Sequence, residues 1–397
     1  MMTRPFRRRV FYLPGFDPMP PRRYRELYRR EALKQAQVSG FVLTMEKPAD
    51  GAAFGWQTRA RFPEGPAQAQ IEVLVWSDLV QASMQGGILA TYARMLRTGW
   101  VYGRSGALRR LMRLRRGPVL AALYPVAVLV LQLLGAVLLA LLAGWVVTAL
   151  TGLAWLGMGA GLATAWGVLV LARSQDHRLF AHYLMHDYAF TASLHGAYPQ
   201  ALEQRLEQFT NRIADALTQD LDEVLVVGHS SGAYLAASIL ADLLRRDALA
   251  GHPALALLTL GQVVPMASFL PQAQRLRTDL AFLSERPDLF WLDVTAPGDP
   301  CSFALCDPVA VTGVAGPGQR WPLVLSAAFT QTLSPQQQRA LRWRWFRLHL
   351  QYLCAFDRPS DYDYFAITAG PLGLADRFAG RRPSPGRIAI PVGPGLP

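Results

Sequence analysis

Leu221-Asp222-Glu223-Val224-Leu225-Val226-Val227-Gly228-His229-Ser230-Ser231-Gly232-Ala233-Tyr234-Leu235-Ala236-Ala237 sets an apolar run against an Ala- and Leu-rich one, with Gly228 to Gly232 between them. A short continuous Val/Leu run reads as a strand buried on both faces, and the segment after Gly232 reads as a helix. Ser230 has glycine two residues before it and two after, the pattern G-x-S-x-G. A serine held on a strained strand-to-helix turn needs small residues at those positions, so that strand and helix can approach. Ala233, Ala236 and Ala237 keep the facing side of the helix thin. The helix N-terminus then favours negative charge developing beside the serine. Ser231 is the weaker nucleophile candidate, because its two-away neighbours are His229 and Ala233. The alternative is a tight turn that only packs.

The alternation of elements extends outward from this stretch. Downstream, Leu255–Leu260 and Leu289–Val294 read as strands, with helices over Ala233–Arg246 and Ala273–Leu283 between them. Strand and helix in strict turn predict an α/β fold with a mostly parallel sheet and covering helices. Trp321–Ser326 adds a strand, and Pro335–Leu353 a helix capped by Ser334. Upstream, Val10–Leu13 is a short buried strand closed by Pro14-Gly15, and Pro21–Gln37 is helical. Phe41–Met45, Gly55–Phe62 and Ile71–Trp76 are strand candidates; Leu79–Leu96, Leu179–Tyr188 and Pro199–Thr218 are helix candidates. No fixed-period repeat is present, which sets solenoids and propellers aside.

The elbow and the element order around it resemble the α/β-hydrolase superfamily, its lipase- and esterase-like members in particular. The resemblance covers roughly residues 8–80 and 200–365. It implies a triad in the chain order Ser, acid, His. Two histidines follow Ser230; His252 precedes any acid of that order, so the resemblance implies His349 as the base. The acid is expected past the strand Leu289–Val294, at Asp299 in Ala296-Pro297-Gly298-Asp299-Pro300, with Asp307 and Asp293 as alternatives. Asp299 would hold the imidazole tautomer while His349 takes the Ser230 proton. The oxyanion hole would use the N–H of Ser231 and, from the loop after the first strand, the N–H of Phe16. The superfamily often has His-Gly in that loop, where this chain has Pro14-Gly15.

Between the halves of that domain, Gly117 to Ala172 is 56 residues without Asp, Glu, Lys or Arg. A single helix of that length would reach about 84 Å, against a hydrocarbon core of about 30 Å. Two spans fit, over 119–147 and 152–172, turning near Thr148–Gly152. An even number of spans leaves both flanks on one side. The flank Arg109-Arg110-Leu111-Met112-Arg113-Leu114-Arg115-Arg116 makes that side cytoplasmic. The expectation is an integral membrane protein, as in a bacterial inner membrane, with hydrolase domain and both termini cytoplasmic. The divisions are 1–105 and 179–380 for the hydrolase domain, 106–178 for the basic flank and hairpin, and 381–397 for a loose Pro/Gly-rich tail. No secretory signal opens the chain: only Val10–Leu13 follows Arg7-Arg8-Arg9.

Charge and rarer residues narrow the function further. The net charge of +12 on 397 residues is local: residues 1–30 carry a net +7 and residues 94–116 a net +8. Basic patches without a nucleic-acid-binding signature suggest the bilayer as partner. Cys301, Cys306 and Cys354 form no CxxC and read as small buried hydrophobes in a reducing compartment. His182 and His186 share a helix face without the glutamate of a zinc-protease motif, so no metal is expected. Arg339 to Arg347, interleaved with Trp343, Trp345 and Phe346, could lie on a membrane surface. The expected function is cofactor-free serine hydrolysis of lipidic or amphipathic esters. The rival is an inactive hydrolase-fold scaffold or lipid-binding protein.

Overall fold

The structure, a computed structural model, describes residues 4–47, 54–246 and 254–396; His252 lies outside them. Eight strands form one sheet: β1 (Phe6–Leu13), β2 (Val42–Glu46), β3 (Gly55–Phe62), β4 (Gly65–Val73), β5 (Glu223–His229), β6 (Ala254–Leu260), β7 (Leu289–Thr295) and β8 (Leu323–Ser326). Their order is β2-β3-β4-β1-β5-β6-β7-β8. From β4 to β8 every neighbour is parallel; β3 runs antiparallel to both β2 and β4. The chain is thus α/β with a mostly parallel sheet, as its alternation predicts.

The central strands are buried on both faces, and their residues divide by parity. Val10, Tyr12, Leu225 and Val227 pack on one face under the helix Arg22–Ser39 and the C-terminal segment around Tyr352 and Phe365. Phe11, Leu13, Val224 and Val226 pack on the other, under the helices Gln200–Leu217, Gly232–Arg246 and Gln274–Ser284. This two-sided cover is why the quoted strand shows no alternation.

Four expectations are corrected. β1 begins at Phe6, because Arg8 and Arg9 are inside the sheet. The Arg8 guanidinium meets Glu223 and the carbonyls of Gly370 and Leu372, while Arg9 meets Glu72. These two arginines of the first basic segment therefore do not face a bilayer. The helix expected over Leu79–Leu96 is two, Ser77–Ser83 and Ile88–Arg104, parted at Gly86-Gly87. The helix expected over Pro335–Leu353 is Pro335–Leu341, Trp345–His349 and a short 3₁₀ turn Leu350–Leu353. Nor is the segment from Arg381 loose: Ile388 exchanges backbone hydrogen bonds with Leu305 and Asp307, and Val392 and Gly393 bond to Val311.

Two helices, Arg116–Thr151 and Ala154–Ser174, are long and apolar enough to cross a membrane. Side chains such as Leu131, Leu138, Trp145, Trp155 and Leu162 stand exposed on them. The helices meet through glycine. A Cβ on Gly144 would lie 2.9 Å from the Gly157 carbonyl oxygen, and one on Gly161 would lie 2.9 Å from that of Ala140. Small residues allow such close approach where lipid provides no hydrophobic drive. The first hairpin helix is also longer than its partner, about 54 Å against about 32 Å. Its surplus is used on the body: Pro118, Val119, Ala121, Pro125 and Leu129 are buried, and Leu129 accepts a hydrogen bond from Tyr92 Oη at 3.0 Å.

Gly157→Leu should open the hairpin, because a Cβ there falls 2.5 Å from the Gly144 carbonyl oxygen and closer still to Thr148. Overpacking of this kind costs about 1–3 kcal/mol. The expected result is a lowered melting temperature in detergent, while Gly159→Leu, whose Cβ meets nothing within 4 Å, leaves it unchanged.

Candidate active site

The elbow places Ser230 at the carboxyl end of β5. Its φ is +58°, in the left-handed region that non-glycine residues enter at a cost of about 1–3 kcal/mol. Its N–H is held by the Leu260 carbonyl at 2.9 Å. The two glycines make the turn possible. A Cβ on Gly228 would stand 2.6 Å from the Gly232 carbonyl oxygen and 2.9 Å from Ala236 Cβ. A Cβ on Gly232 would meet the carbonyl oxygens of Leu13 and Pro14 at 2.3 and 2.6 Å. Strand, helix and the loop after β1 thus converge where side chains are missing.

Parallel register sets Leu13 opposite Gly228, which carries the Pro14–Asp17 loop alongside Ser230. A Cβ on Gly15 would lie 3.3 Å from Ser230 Oγ. The loop is fixed by Trp76 Nε1, which donates to the Pro14 carbonyl at 3.0 Å, and by Tyr183, whose hydroxyl donates to that of Phe16. Phe16 N–H points back to the elbow, but it donates to Ser231 Oγ at 2.8 Å. The N–H expected as second oxyanion donor is therefore engaged by the hydroxyl of the residue after Ser230.

Asp299 and His349 come together from 50 residues apart, with His349 Nδ1 2.7 Å from Asp299 Oδ2. Asp299 sits on the turn after β7, where its Oδ1 accepts from the Cys301 N–H at 2.9 Å. Burial alone would raise its pKa; the His349 imidazole and the Cys301 N–H outweigh that and hold the carboxyl below its ordinary range. His349 ends its five-residue helix, and Gly261 at the end of β6 leaves room for the ring: a Cβ there would lie 3.0 Å from His349 Cε1. His349 Nε2 is buried and has no hydrogen-bond partner among the described residues, Ser230 Oγ included. With Nδ1 protonated towards Asp299, Nε2 is left as a free acceptor.

The alternative acids are occupied elsewhere. Asp307 caps the helix Pro308–Thr312 through the N–H groups of Val309 and Ala310 and pairs with Arg387. Asp293 lies inside β7 and accepts from Thr259 Oγ1 at 2.6 Å, its other oxygen without a partner among the described residues.

Two contributors had no signal of their own in the sequence. Tyr352 donates to Asp299 Oδ2 at 3.0 Å and accepts from the Ala296 N–H at 2.9 Å, so it ties the acid to the end of β7. His229 lies inside the quoted motif; its Nε2–H donates to the His349 carbonyl at 2.9 Å. Burial pushes this histidine down to about 3, with His349 adding to the effect, so it acts as a neutral donor.

Ser230 and His349 open on one cavity of about 520 Å³, walled by apolar groups that include Phe180, Leu184, Met266, Phe303 and Phe346. Pro118 and Ala122 of the first hairpin helix form part of that wall. The amphipathic segment before His349 packs here too: Trp345 meets Tyr124 of the hairpin with ring centroids 5.9 Å apart, while Trp343 stands exposed. Away from the cavity centre, His186 Nδ1 is 2.8 Å from Arg94 Nη1, a cation where a metal would need room. Asp299, Cys301 and His349 bring ligand atoms within 4.8 Å of one another, but burial holds the Cys301 thiol well above its usual pKa and so protonated.

No family model, curated protein or solved structure matches this chain. Its chemistry has to be argued from its own geometry.

Asp293 yields a pH-dependent expectation. Burial pushes its carboxyl up to about 8, so the folded chain keeps a proton that the unfolded chain releases near about 3.9. The stability this proton represents is complete below the unfolded value and is lost as pH rises through about 8. Asp293→Asn removes the penalty; its melting temperature relative to the native protein should rise from pH 5 to pH 8, as read by thermal shift.

Proposed function

We propose that this chain is a membrane-anchored serine hydrolase that cleaves carboxylic esters of lipidic or amphipathic character. The observation that carries the reading is the Asp299–His349 hydrogen bond at 2.7 Å in the cavity of a serine with φ +58°. In the reaction, Ser230 Oγ attacks the ester carbonyl while His349 Nε2 takes its proton. The tetrahedral oxyanion is met by the Ser231 N–H at the start of the elbow helix. Collapse breaks the bond to the alcohol, which leaves with the proton returned by His349. Water, deprotonated in turn by His349, then cleaves the acyl-enzyme and frees Ser230. Asp299 stays ionised throughout and holds the imidazolium, and no cofactor is needed.

The apolar walls suit an acyl chain, and the hairpin keeps the cavity near the source of one. With two spans, both flanks lie on one side, and the exposed Arg109, Arg113 and Arg116 beside the hairpin support the reading that this side is cytoplasmic. One alternative has a specific observation behind it. His349 Nε2 makes no hydrogen bond to Ser230, and Phe16 N–H is engaged by Ser231, as an inactive lipid-binding scaffold would allow. Catalytic hydrogen bonds often tighten only once substrate is bound, so this geometry is compatible with an active enzyme as well.

A fluorophosphonate probe applied to the full chain in detergent separates the two. Labelling should be lost in Ser230→Ala and His349→Ala and kept in Ser231→Ala. A folded native protein that takes no label is the scaffold. His229→Phe, which removes the donor to the His349 carbonyl, should slow labelling by roughly tenfold, the equivalent of about 1.4 kcal/mol. His229→Gln, which can restore that donor, should recover most of the rate.

A further inference from the structure

The cavity contains a carboxyl that the proposed reaction does not use. Asp187, on the helix Ala181–Ala192, lines the same space as Ser230 and His349. Its carboxylate makes no hydrogen bond or ion pair among the described residues; the bond from Thr191 goes to its backbone carbonyl. The other two acids of the lining are committed. Asp17 accepts from Tyr24 and Arg23, and Asp176 accepts from the N–H groups of His182 and Tyr183. Arg23, the arginine at this lining, is thereby taken by Asp17.

The surroundings of Asp187 are aromatic. It lies close enough to Tyr183, Tyr188 and Tyr234 for its charge to disfavour their ionisation, and close enough to His349 to feel that ring in turn. Burial pushes the carboxyl up to about 7, the mark of a negative charge without compensation. Aromatic rings attract cations, and a cation beside this carboxylate would offset its burial. The contrast with the rest of the chain is informative. A protein of net charge +12 holds its exposed arginines outside and leaves an unpaired acid within. Such a cavity disfavours an anionic ester.

We propose that Asp187, with Tyr183, Tyr188 and Tyr234 around it, forms a subsite for an ammonium group that the substrate carries close to its scissile ester. This assignment rests on the hydrolase reading and adds the substrate's charge to it. The ammonium could belong to the alcohol or to the acyl part, and matched substrates separate these. A trimethylammonioethyl ester is compared with the same ester bearing carbon in place of nitrogen. An ethyl ester with a trimethylammonium on its acyl chain is compared with its own carbon isostere.

For the full chain in maltoside micelles, kcat/KM for the cationic member of at least one pair should exceed that of its isostere by about tenfold or more, the equivalent of about 1.4 kcal/mol. In Asp187→Asn that ratio should fall to within about twofold of one, a change that a merely structural role would not produce. A native ratio near one in both pairs, or a ratio unchanged in Asp187→Asn, overturns the subsite. If no ester is cleaved and no fluorophosphonate label is taken, the hydrolase reading has failed. The subsite is then judged by calorimetry with the ether analogue of the trimethylammonioethyl ester. Binding by the native protein that weakens about tenfold in Asp187→Asn keeps it, and equal or absent binding overturns it.

Discussion

Everything near the cavity depends on a place where side chains are missing. Gly228 and Gly232 let β5, the helix after it and the loop after β1 approach within distances that a methyl group would forbid. That approach holds Ser230 in the left-handed conformation and sets the Pro14–Asp17 loop beside it. It also places the N-terminus of a well-buried helix under the serine. The strain at Ser230 is stored because the surrounding core over-determines it: Val224 to Val227 and Ala233, Ala236 and Ala237 are buried completely. A methyl group at Gly228 would push the helix off β5, and one at Gly232 would push it off the end of β1 and the loop that follows.

The parts of this arrangement written in local patterns could be read from the sequence. The Val/Leu run, the paired glycines and the alternating elements downstream are short-range signals, and they predict the parallel sheet and the turn at Ser230. The order Ser, acid, His directed attention to Asp299 and His349, and the structure brings those two side chains into contact. What escaped was set by register and by long-range pairing. The run Arg7-Arg8-Arg9 looks like a surface patch until β1 pairs with β5 and sets Arg8 opposite Glu223. The segment after Arg381 has no periodicity to betray that its backbone completes the surface around Leu305 and Val311. Tyr352 and Asp187 belong to helical segments whose orientation no local pattern specifies.

Charge is arranged with the same economy. Arginines that would repel one another at the start of the chain are neutralised by Glu72, Asp220 and Glu223 on and beside the central strands. Arg109, Arg113 and Arg116 remain exposed beside the hairpin, where anionic headgroups would meet them. The cavity instead holds an acid, Asp187, whose carboxyl has no hydrogen bond or ion pair among the described residues. The basic groups beside the hairpin and the acid in the cavity are thus kept apart in the fold.

The overlap between hairpin and body bears on how the protein can be cut. Val119 is packed with Phe303 and Cys306, and Leu129 with Met95 and Met185, so the start of the first hairpin helix belongs to the interior of the body. Hydropathy alone would put the excision points of a soluble version at 119 and 172. Such a deletion would strip a wall from the cavity and open three apolar clusters to water, the third being that of Ile88, Ala136 and Leu169. A linker that replaces only the chain beyond Leu129 and rejoins before Asp176 keeps the cavity wall and the first two clusters, and gives up only the packing of Ala136 and Leu169 on Ile88.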